Sequence, residues 1–188
     1  MRVIETAIPG PLLIEPEVFG DARGYFMELY RANRYAELGI PPLVQDNLSY
    51  SRFGVLRGLH LQHPHAQGKL VQVLSGEVFD VAVDVRRGSP HFGRWVGIRL
   101  SGDNKRQFWI PPGFAHGFLV TSEHALLMYK NTEYYHPQTE LSLRWNDPEL
   151  AITWPLQEMV PELSAKDREG FYLRQIPAER LPALEDYL

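Results

Sequence analysis

Apolar and polar positions alternate over short segments along this chain. The apolar segments are separated by Gly, Pro, Asn or Asp, a rhythm typical of a sandwich or barrel of short strands. The clearest strand prediction is Glu77 to Val85, where every second residue from Phe79 to Val85 is apolar. Asp80 and Asp84 fall on its other face. The pattern therefore predicts a strand with one apolar face.

This strand follows a second candidate, Lys69–Leu74, with Ser75-Gly76 between them, and the pair predicts a hairpin turn. The remaining strand predictions share short apolar runs bounded by turn residues. They are Tyr25–Arg31, Gln45–Ser51, Val55–Leu61, Trp95–Leu100, Arg106–Ile110, Gly117–Val120, Ala125–Asn131 and Ser142–Trp145.

Helical patterns are weak. Asn33–Leu38 predicts a short helix, with Gly39 at its C-terminal cap. Ala178–Tyr187 is a second candidate, although Pro182 inside it favours a break. Many strands and few helices predict an all-β fold, either an antiparallel barrel or a sandwich. A parallel α/β fold is disfavoured because crossover helices are missing.

Composition narrows the function classes. The chain has 188 residues, with 44% hydrophobic and 22% charged residues, and we expect one domain over residues 1–188. A formal net charge of -4 and the lack of a basic block argue against nucleic-acid binding. The absence of cysteine excludes disulfides, thiolate metal sites and a cysteine nucleophile.

The N-terminal residues and the apolar runs bear on localisation. The first residues lack the basic and apolar blocks of a signal peptide. No apolar run approaches the roughly 18 residues that span a bilayer. We therefore expect a cytoplasmic protein without membrane contact.

Two polar clusters match the two-part pattern of the cupin superfamily. In the first, His63-Pro64-His65 is followed by Lys69 and then Gly76, where the superfamily has His-x-His, Glu and Gly. The second pattern, Pro-x-Gly-x-x-His, is filled by Pro111, Gly113 and His116. The match predicts a cupin-type jelly-roll barrel.

Lys69 stands where metal-binding cupins have a glutamate ligand. A protonated lysine has no lone pair and repels a divalent cation. It is suited instead to hold an anion such as an enolate oxygen or a phosphate. The sequence therefore favours a site without a metal, although His63, His65 and His116 keep a metal-binding alternative open.

His60 has two interpretations. It could be a core histidine bonded to backbone, which is the commoner case. However, further polar residues are predicted on or near strands of the same barrel, namely Arg57, Gln62, Lys69 and His116. A buried polar cluster is energetically costly unless its members are used. Strict alternation sends Arg57 and His60 to opposite faces, so both can line one cavity only if Gly58 marks a bulge.

Tyr129 and the pair Tyr134-Tyr135 are further candidates. Tyr129 could be a barrel tyrosine that bonds locally. Two adjacent tyrosines near a loop could stack on a base or a sugar. Taken alone, these residues do not decide between a structural and a functional role.

The chain resembles the thymidine-diphosphate-4-dehydrorhamnose 3,5-epimerase family. The matching stretches run in order over nearly the whole sequence. They are Glu15–Gly24, Gln45–Asn47, Val55–His60, Gly68–Val71, Gly76–Asp84, Trp109–Phe118, Tyr129-Lys130, Tyr134-Tyr135, Trp145–Pro148 and Leu163–Asp167.

The resemblance implies a metal-free, cofactor-independent cupin barrel that forms a homodimer. It implies inversion at C3 and C5 of a thymidine-diphosphate-linked (dTDP-linked) 4-keto-6-deoxyglucose, on the route to L-rhamnose. Both carbons flank the C4 ketone, so a base can remove each proton to give an enolate, and an acid can return a proton to the opposite face. By resemblance, the base is His60, its orienting carboxylate is Asp167, the acid is Tyr129 and the enolate is held by Lys69.

The resemblance also implies a set of substrate contacts. Arg23, Arg57 and Lys166 match residues near the nucleotide or its diphosphate. Tyr135 matches the aromatic residue that stacks on thymine. The other matching positions are Glu28, Gln45, Asn47, His116 and Glu140. N-terminal strands in this family tend to be shared across the dimer, so Arg23 or Glu28 could reach a neighbour's site.

Three alternatives stay open at this point. A related enzyme could invert C3 alone or C5 alone in a similar keto-sugar nucleotide. A metal-dependent cupin oxygenase or isomerase would use the histidine cluster. A non-catalytic sugar-binding barrel would need neither His60 nor Tyr129 as a proton carrier.

Overall fold

The structure, a computed structural model, describes residues 1–187, and its elements are mainly strands. The strands are β1 (Arg2–Glu5), β2 (Leu12–Glu15), β3 (Val18–Asp21), β4 (Gly24–Met27), β5 (Gln45–Arg52), β6 (Leu56–Gln62), β7 (Lys69–Asp84), β8 (Trp95–Ser101), β9 (Gln107–Ile110), β10 (Phe114–Asn131) and β11 (Glu140–Ser142). Two short α-helices, α1 (Ala32–Ala36) and α2 (Ala165–Arg168), accompany them. Single 3₁₀ turns span Pro137–Thr139, Leu173–Gln175, Ala178–Arg180 and Leu184–Tyr187.

The main sheet has nine strands and is built around β7 and β10. Its order is β1-β2-β9-β7-β10-β6-β11, with β5 also paired to β10 and β8 also paired to β7. All of these pairs are antiparallel. The first part of β10 pairs with β6 and the last part with β5, so these two strands share one side of β10, and β7 pairs along the other side. The predicted cupin-type, all-β barrel with a few short helices is confirmed.

The predicted hairpin at Ser75-Gly76 is wrong. Lys69–Leu74 and the strand after it are one strand, β7, and the two predictions from Gly117 to Asn131 are likewise one strand, β10. Gly76 has a φ of +79°, and a Cβ there would overlap the carbonyl oxygen of His124. The glycine thus marks a point where the register between β7 and β10 shifts, which sequence pattern alone does not distinguish from a turn.

Some other predicted strands differ from the observed ones in presence or in length. Strands β1, β2 and β3 were not predicted, and Tyr25–Arg31 is shortened to β4. Ser142–Trp145 lies largely beyond β11, whose last residue is Ser142. The remaining strands agree with prediction to within one or two residues.

The helix predictions are confirmed in part. Helix α1 overlaps the predicted Asn33–Leu38, and Gly39 after it has a φ of +77°. Two 3₁₀ turns flank Pro182, which interrupts the second predicted helix. Among residues 1–187 no helix is long and apolar enough to cross a membrane.

Within residues 1–187, buried apolar residues form three clusters, and the two larger ones lie on opposite faces of the sheet. The inner cluster includes Val73, Phe108 and Leu127, whereas the outer one joins the sheet to the C-terminal part of the chain. Val81 and Val83 belong to the outer cluster, and Val78 and Ala82 to the inner one. The apolar face predicted for Glu77–Val85 therefore packs under the C-terminal segment rather than inside the barrel.

The packing of the C-terminal part of the chain against the sheet should contribute strongly to stability. Leu143 is 0% exposed in the outer cluster. Leu143→Ala removes buried methyl groups and leaves a cavity, so we expect the free energy of unfolding to fall by about 2–5 kcal/mol. Urea denaturation at fixed protein concentration measures this change. Val160→Ala, at a position 91% exposed, should change it by less than about 0.5 kcal/mol, and equal losses in both variants would contradict the packing described.

Candidate active site

A cavity of about 360 Å³ lies among β5, β6, β7 and β10. All but three of the predicted site residues line it; the exceptions are Asp167, Arg23 and Glu28. The alternation of strand residues explains this convergence. On β10, Tyr129 pairs in register with Asn47 of β5, and the next inward residue pairs with Gln45. Polar side chains on two neighbouring strands therefore face one space.

A bulge in β6 places Arg57 and His60 on the same face. In the register with β10, His60 lies opposite His116 and Arg57 lies opposite Phe118, so β6 advances three residues while β10 advances two. Gly58 has a φ of +117°. Both Arg57 and His60 line the cavity. The bulge predicted at Gly58 is confirmed.

His60 is held by a buried carboxylate. Nε2 of His60 lies 2.6 Å from Oδ1 of Asp167, whose side chain is 3% exposed. Helix α2 carries Asp167, and Ser164 caps this helix by accepting a hydrogen bond from the Asp167 backbone N–H. The Ser164 hydroxyl also donates to Oδ2 of Asp167 at 2.7 Å. The carboxylate is therefore fixed from two sides.

The charge state of Asp167 follows from these contacts. Burial alone would raise the pKa of Asp167, but hydrogen bonds from His60 and Ser164 and the attraction of His60 outweigh it and lower the pKa below its usual value. Asp167 is thus an anion at neutral pH, and it accepts the Nε2 proton of His60. The Nδ1 atom of that tautomer keeps a free lone pair.

Lys69 is a buried cation that lines the same cavity as His60. It is 8% exposed, and its Nζ donates a hydrogen bond to Oε1 of Gln67 at 3.1 Å. Burial lowers the pKa of Lys69 to about 8, and the negative charge of Glu140 partly opposes this shift. At neutral pH the side chain is mostly protonated and can stabilise a negative charge that develops nearby.

Tyr129 lines the cavity from β10. Burial raises the pKa of Tyr129, the positive charge of Arg57 lowers it, and Glu140 raises it further. The phenol is therefore protonated at neutral pH. Its hydroxyl makes no hydrogen bond to any of residues 1–187, so its proton is not committed to another protein group.

The rim of the cavity holds a polar triplet. The Tyr135 hydroxyl donates to Oε2 of Glu140 at 3.0 Å, and Nζ of Lys166 donates to Oε1 of the same carboxylate at 2.8 Å. Tyr135 is 50% exposed. An exposed aromatic face next to a cation is suited to a stacked base with a phosphate beside it.

His116, which lines the cavity, also pairs with an aspartate, and this aspartate was not predicted from the sequence. Nε2 of His116 lies 2.9 and 3.0 Å from the two carboxylate oxygens of Asp80, which is 0% exposed. Burial raises the pKa of Asp80, and the contact with His116 opposes that change. The signal in the sequence was an acidic residue inside an apolar strand, which is rarely buried without a partner.

Two unpaired polar atoms also mark the cavity. Within residues 1–187, the buried side-chain oxygens that lack a hydrogen-bond partner are Oγ of Ser49 and Oδ1 of Asn131. Both residues line this cavity. Buried polar groups are nearly always paired, so these two oxygens are exceptions, and both belong to residues of the cavity lining.

Two predicted contacts lie outside the cavity of this chain. Arg23 is on the β3–β4 hairpin, where its Nη2 lies 2.6 Å from Oδ2 of Asp21. Glu28 pairs with Arg34 at 3.0 Å. Within residues 1–187, neither side chain is brought to the other predicted site residues.

The histidines of the metal alternative lie apart. The His65 ring stacks on His136 with 4.3 Å between ring centroids, and His116 is bound to Asp80. His63 and His65 are absent from the cavity lining. Residues 1–187 contain no group of three His, Asp or Glu side chains placed to hold a metal ion.

The chain is similar to known proteins over most of its length. The sequence model of the family described as dTDP-4-dehydrorhamnose 3,5-epimerase matches residues 5–175. The enzyme of that name from Pseudomonas aeruginosa is 58% identical over 172 residues, which cover 90% of this chain and 94% of the relative. The dTDP-4-dehydrorhamnose 3-epimerase of Streptomyces niveus is 42% identical over 178 residues, covering 93% of this chain and 85% of the relative.

A solved structure is equally similar. The dTDP-6-deoxy-D-glucose-3,5-epimerase of Legionella pneumophila, in complex with dTDP-4-keto-L-rhamnose, superposes with a TM-score of 0.94. It is 58% identical, and the match covers 97% of each chain. On the family match over residues 5–175 and these identities, the chain belongs to the dTDP-4-dehydrorhamnose 3,5-epimerase family.

Proposed function

We propose that this epimerase inverts C3 and C5 of dTDP-4-keto-6-deoxyglucose through an enolate at C4. One observation carries the proposal: a His60–Asp167 pair, a buried ammonium at Lys69 and an uncommitted phenol at Tyr129 surround one cavity. These are the groups that proton exchange next to a ketone requires, namely a base, an electrophile and an acid.

His60 is the base in this proposal. Its Nε2–H is directed at Asp167, so Nδ1 is the basic nitrogen, and the carboxylate stabilises the imidazolium that forms. The proton at C3 or C5 moves to His60, and the electron pair moves through the C3–C4 or C4–C5 bond to the ketone oxygen. No external electron acceptor or metal is needed for this step.

Lys69 holds the enolate oxygen. Its ammonium is held before the reaction and is largely buried at the cavity wall, so it stabilises the charge where it develops. One such donor contributes about 3 kcal/mol to the stability of a transition state. Tyr129 then gives its proton to the carbon from the opposite face, and inversion results.

The nucleotide is held at the rim. Tyr135 offers a ring face to thymine, and Arg57 and Lys166 are placed to bind the diphosphate. Gln45, Asn47, His116 and Glu140 complete the polar lining that would hold the sugar and nucleotide. The ligand reported in the Legionella pneumophila structure is a dTDP-linked keto-sugar, which fits this division of the cavity.

A second candidate is inversion at C3 alone. It is favoured by the 42% identity to a relative named dTDP-4-dehydrorhamnose 3-epimerase. Both reactions need the same base and enolate stabilisation, so the configuration of the product at C5 separates them.

Replacing His60 tests the base. His60→Gln keeps a polar side chain but cannot take the proton, so we expect turnover to fall by about 10³-fold or more. Affinity for dTDP, measured by calorimetry, should change by less than about threefold, because the base does not contact the nucleotide in this proposal. His91→Gln, outside the cavity lining, should retain wild-type turnover. Loss of dTDP binding in parallel with turnover would contradict the assigned role.

Tyr129→Phe tests the acid. The variant keeps the ring but loses the proton donor. In deuterated water we expect proton removal by His60 and its reversal to continue, so that NMR shows hydrogen exchange while the epimerised product fails to accumulate. Complete epimerisation at a wild-type rate would remove Tyr129 from the mechanism.

The pH profile tests Lys69. The ammonium is the required form, so kcat/KM should fall as pH rises through about 8, where Lys69 loses its proton. Glu140→Gln removes a charge that raises the pKa of Lys69, so the alkaline limb should move to lower pH. Glu133→Gln, in the neighbouring loop, should leave the limb in place. An alkaline limb that ignores Glu140 would contradict this role for Lys69.

We also propose that the protein is a homodimer in which Arg23 serves the partner's cavity. The β3–β4 hairpin exposes three aromatic side chains, with Phe19 56%, Tyr25 59% and Phe26 68% exposed. Exposed apolar groups clustered on a small hairpin are typical of an interface. This arrangement would bring Arg23 to a site that it does not reach within its own chain.

Mixing two inactive variants tests this exchange. Arg23→Ala lacks the donated arginine, and His60→Gln lacks the base. If Arg23 acts across the dimer, each mixed dimer has one intact site, so an equal mixture that exchanges subunits at random should recover about a quarter of wild-type turnover. Recovery near zero, with mixed dimers verified by mass spectrometry, would place Arg23 in its own chain's site, whereas an Arg23→Ala variant with wild-type turnover would place it outside both sites.

A further inference from the structure

We propose that Gln67 is a positioning residue for Lys69: its side-chain amide directs the Lys69 ammonium into the cavity and stabilises its charge without neutralising it. The contact itself is a property of the described structure. Its role in catalysis rests on the proposed function of the cavity.

The orientation of the Gln67 amide is fixed by its two partners. Gln67 is 8% exposed, its Nε2 donates to the backbone oxygen of Glu133 at 2.9 Å, and its Oε1 accepts from Nζ of Lys69 at 3.1 Å. A backbone carbonyl can only accept and an ammonium can only donate. The reversed amide would face both partners with the wrong atom, so the amide oxygen must point at Lys69.

Lys69 depends on this one contact. Among residues 1–187 its Nζ makes no other hydrogen bond and no ion pair, although the side chain is 8% exposed. An ammonium has three N–H groups. One is held by Gln67, and the other two remain for the cavity, where the ketone oxygen is proposed to lie.

A neutral partner suits an electrophile better than a carboxylate. A carboxylate at this position would form an ion pair and compensate the charge that Lys69 offers to the enolate. An amide oxygen offers a dipole, so it offsets part of the cost of burial and leaves the net charge in place. The two histidines of the cavity, His60 and His116, each face an aspartate instead.

The backbone around Gln67 is held as firmly as its side chain. Gly68 N–H donates to Oγ1 of Thr132 at 2.8 Å, and Thr132 N–H donates to the Gly68 oxygen at 3.0 Å. A Cβ at Gly68 would lie 2.5 Å from Cη2 of Trp109. The segment between Gln67 and Lys69 therefore has little room to move.

Other charges reach the same space and define the background of a titration. The titratable or permanently charged side chains that line the cavity with Lys69 are Arg57 and His60 from β6, His116 and Tyr129 from β10, and Tyr135, Glu140 and Lys166 from the rim. Asp80 and Asp167 lie behind the two histidines.

The test is a titration of Lys69 by NMR, with ¹³C-labelled lysine and the Lys69 signal identified by its loss in Lys69→Met. Gln67→Met keeps the chain length but removes the acceptor, so the midpoint should move from about 8 to lower pH by roughly 0.5–1 unit. Gln67→Glu introduces a carboxylate and should move it to higher pH. Opposite shifts separate a direct contact from general loosening of the fold.

Gln62→Met is the matched control. Gln62 is also buried and joins the same loops, since its amide donates to the oxygens of His65 and Tyr134 and accepts from the His136 N–H. Within residues 1–187 it makes no hydrogen bond to Lys69, so its variant should leave the Lys69 midpoint unchanged.

Turnover gives the second readout. At pH 7, Gln67→Met should lower kcat about 10-fold with KM changed less than about threefold, because orientation of the electrophile is lost while binding persists. The proposal is overturned if Gln67→Met leaves the Lys69 midpoint in place, or if Gln62→Met moves it as far. The NMR midpoint needs no substrate, so failure here is distinct from failure of the epimerase proposal.

Discussion

The close approach of Gly58 in β6 to Gly117 in β10 is the constraint on which the site depends. A Cβ at Gly58 would lie 2.5 Å from the Gly117 Cα, so only glycine permits the bulge at this point. The bulge turns Arg57 and His60 to one face. It also directs the Gly58 N–H toward the carboxylate of Asp167, 3.4 Å away. One local irregularity in a regular sheet thus aligns the proposed base with the residue that orients it.

The polar groups of the cavity differ in their hydrogen-bond partners, and these differences match their proposed roles. His60 and His116 each face an aspartate, an arrangement that fixes a tautomer and supports a positive charge. Lys69 faces only the neutral amide of Gln67 and therefore keeps its charge available. Tyr129 has no partner among residues 1–187 and keeps its proton available. Base, electrophile and acid thus differ in what surrounds them as much as in their own chemistry.

The sequence predicted the architecture and most of the cavity, and the errors have physical reasons. Alternation required a bulge at Gly58, and the structure has it. The same reasoning took Gly76 for a turn, because a positive φ serves a bulge and a hairpin equally. The alternation pattern marked Asp80 only as a polar residue on the other face of its strand. Its pairing with His116 joins two strands that are far apart in the sequence, so local pattern does not predict it. The positions of Arg23 and Glu28 outside the cavity depend on hairpin placement, which local pattern does not encode.

The most direct test of the account follows hydrogen at the two carbons beside the ketone. The protein, treated with a chelator, is incubated with dTDP-4-keto-6-deoxyglucose in deuterated water, and NMR locates the deuterium. Proton exchange through the C4 enolate predicts deuterium at both C3 and C5 of a product with both centres inverted. Deuterium at C3 alone would show that the enzyme is a 3-epimerase. No incorporation until a divalent ion is restored would contradict Lys69 as the electrophile.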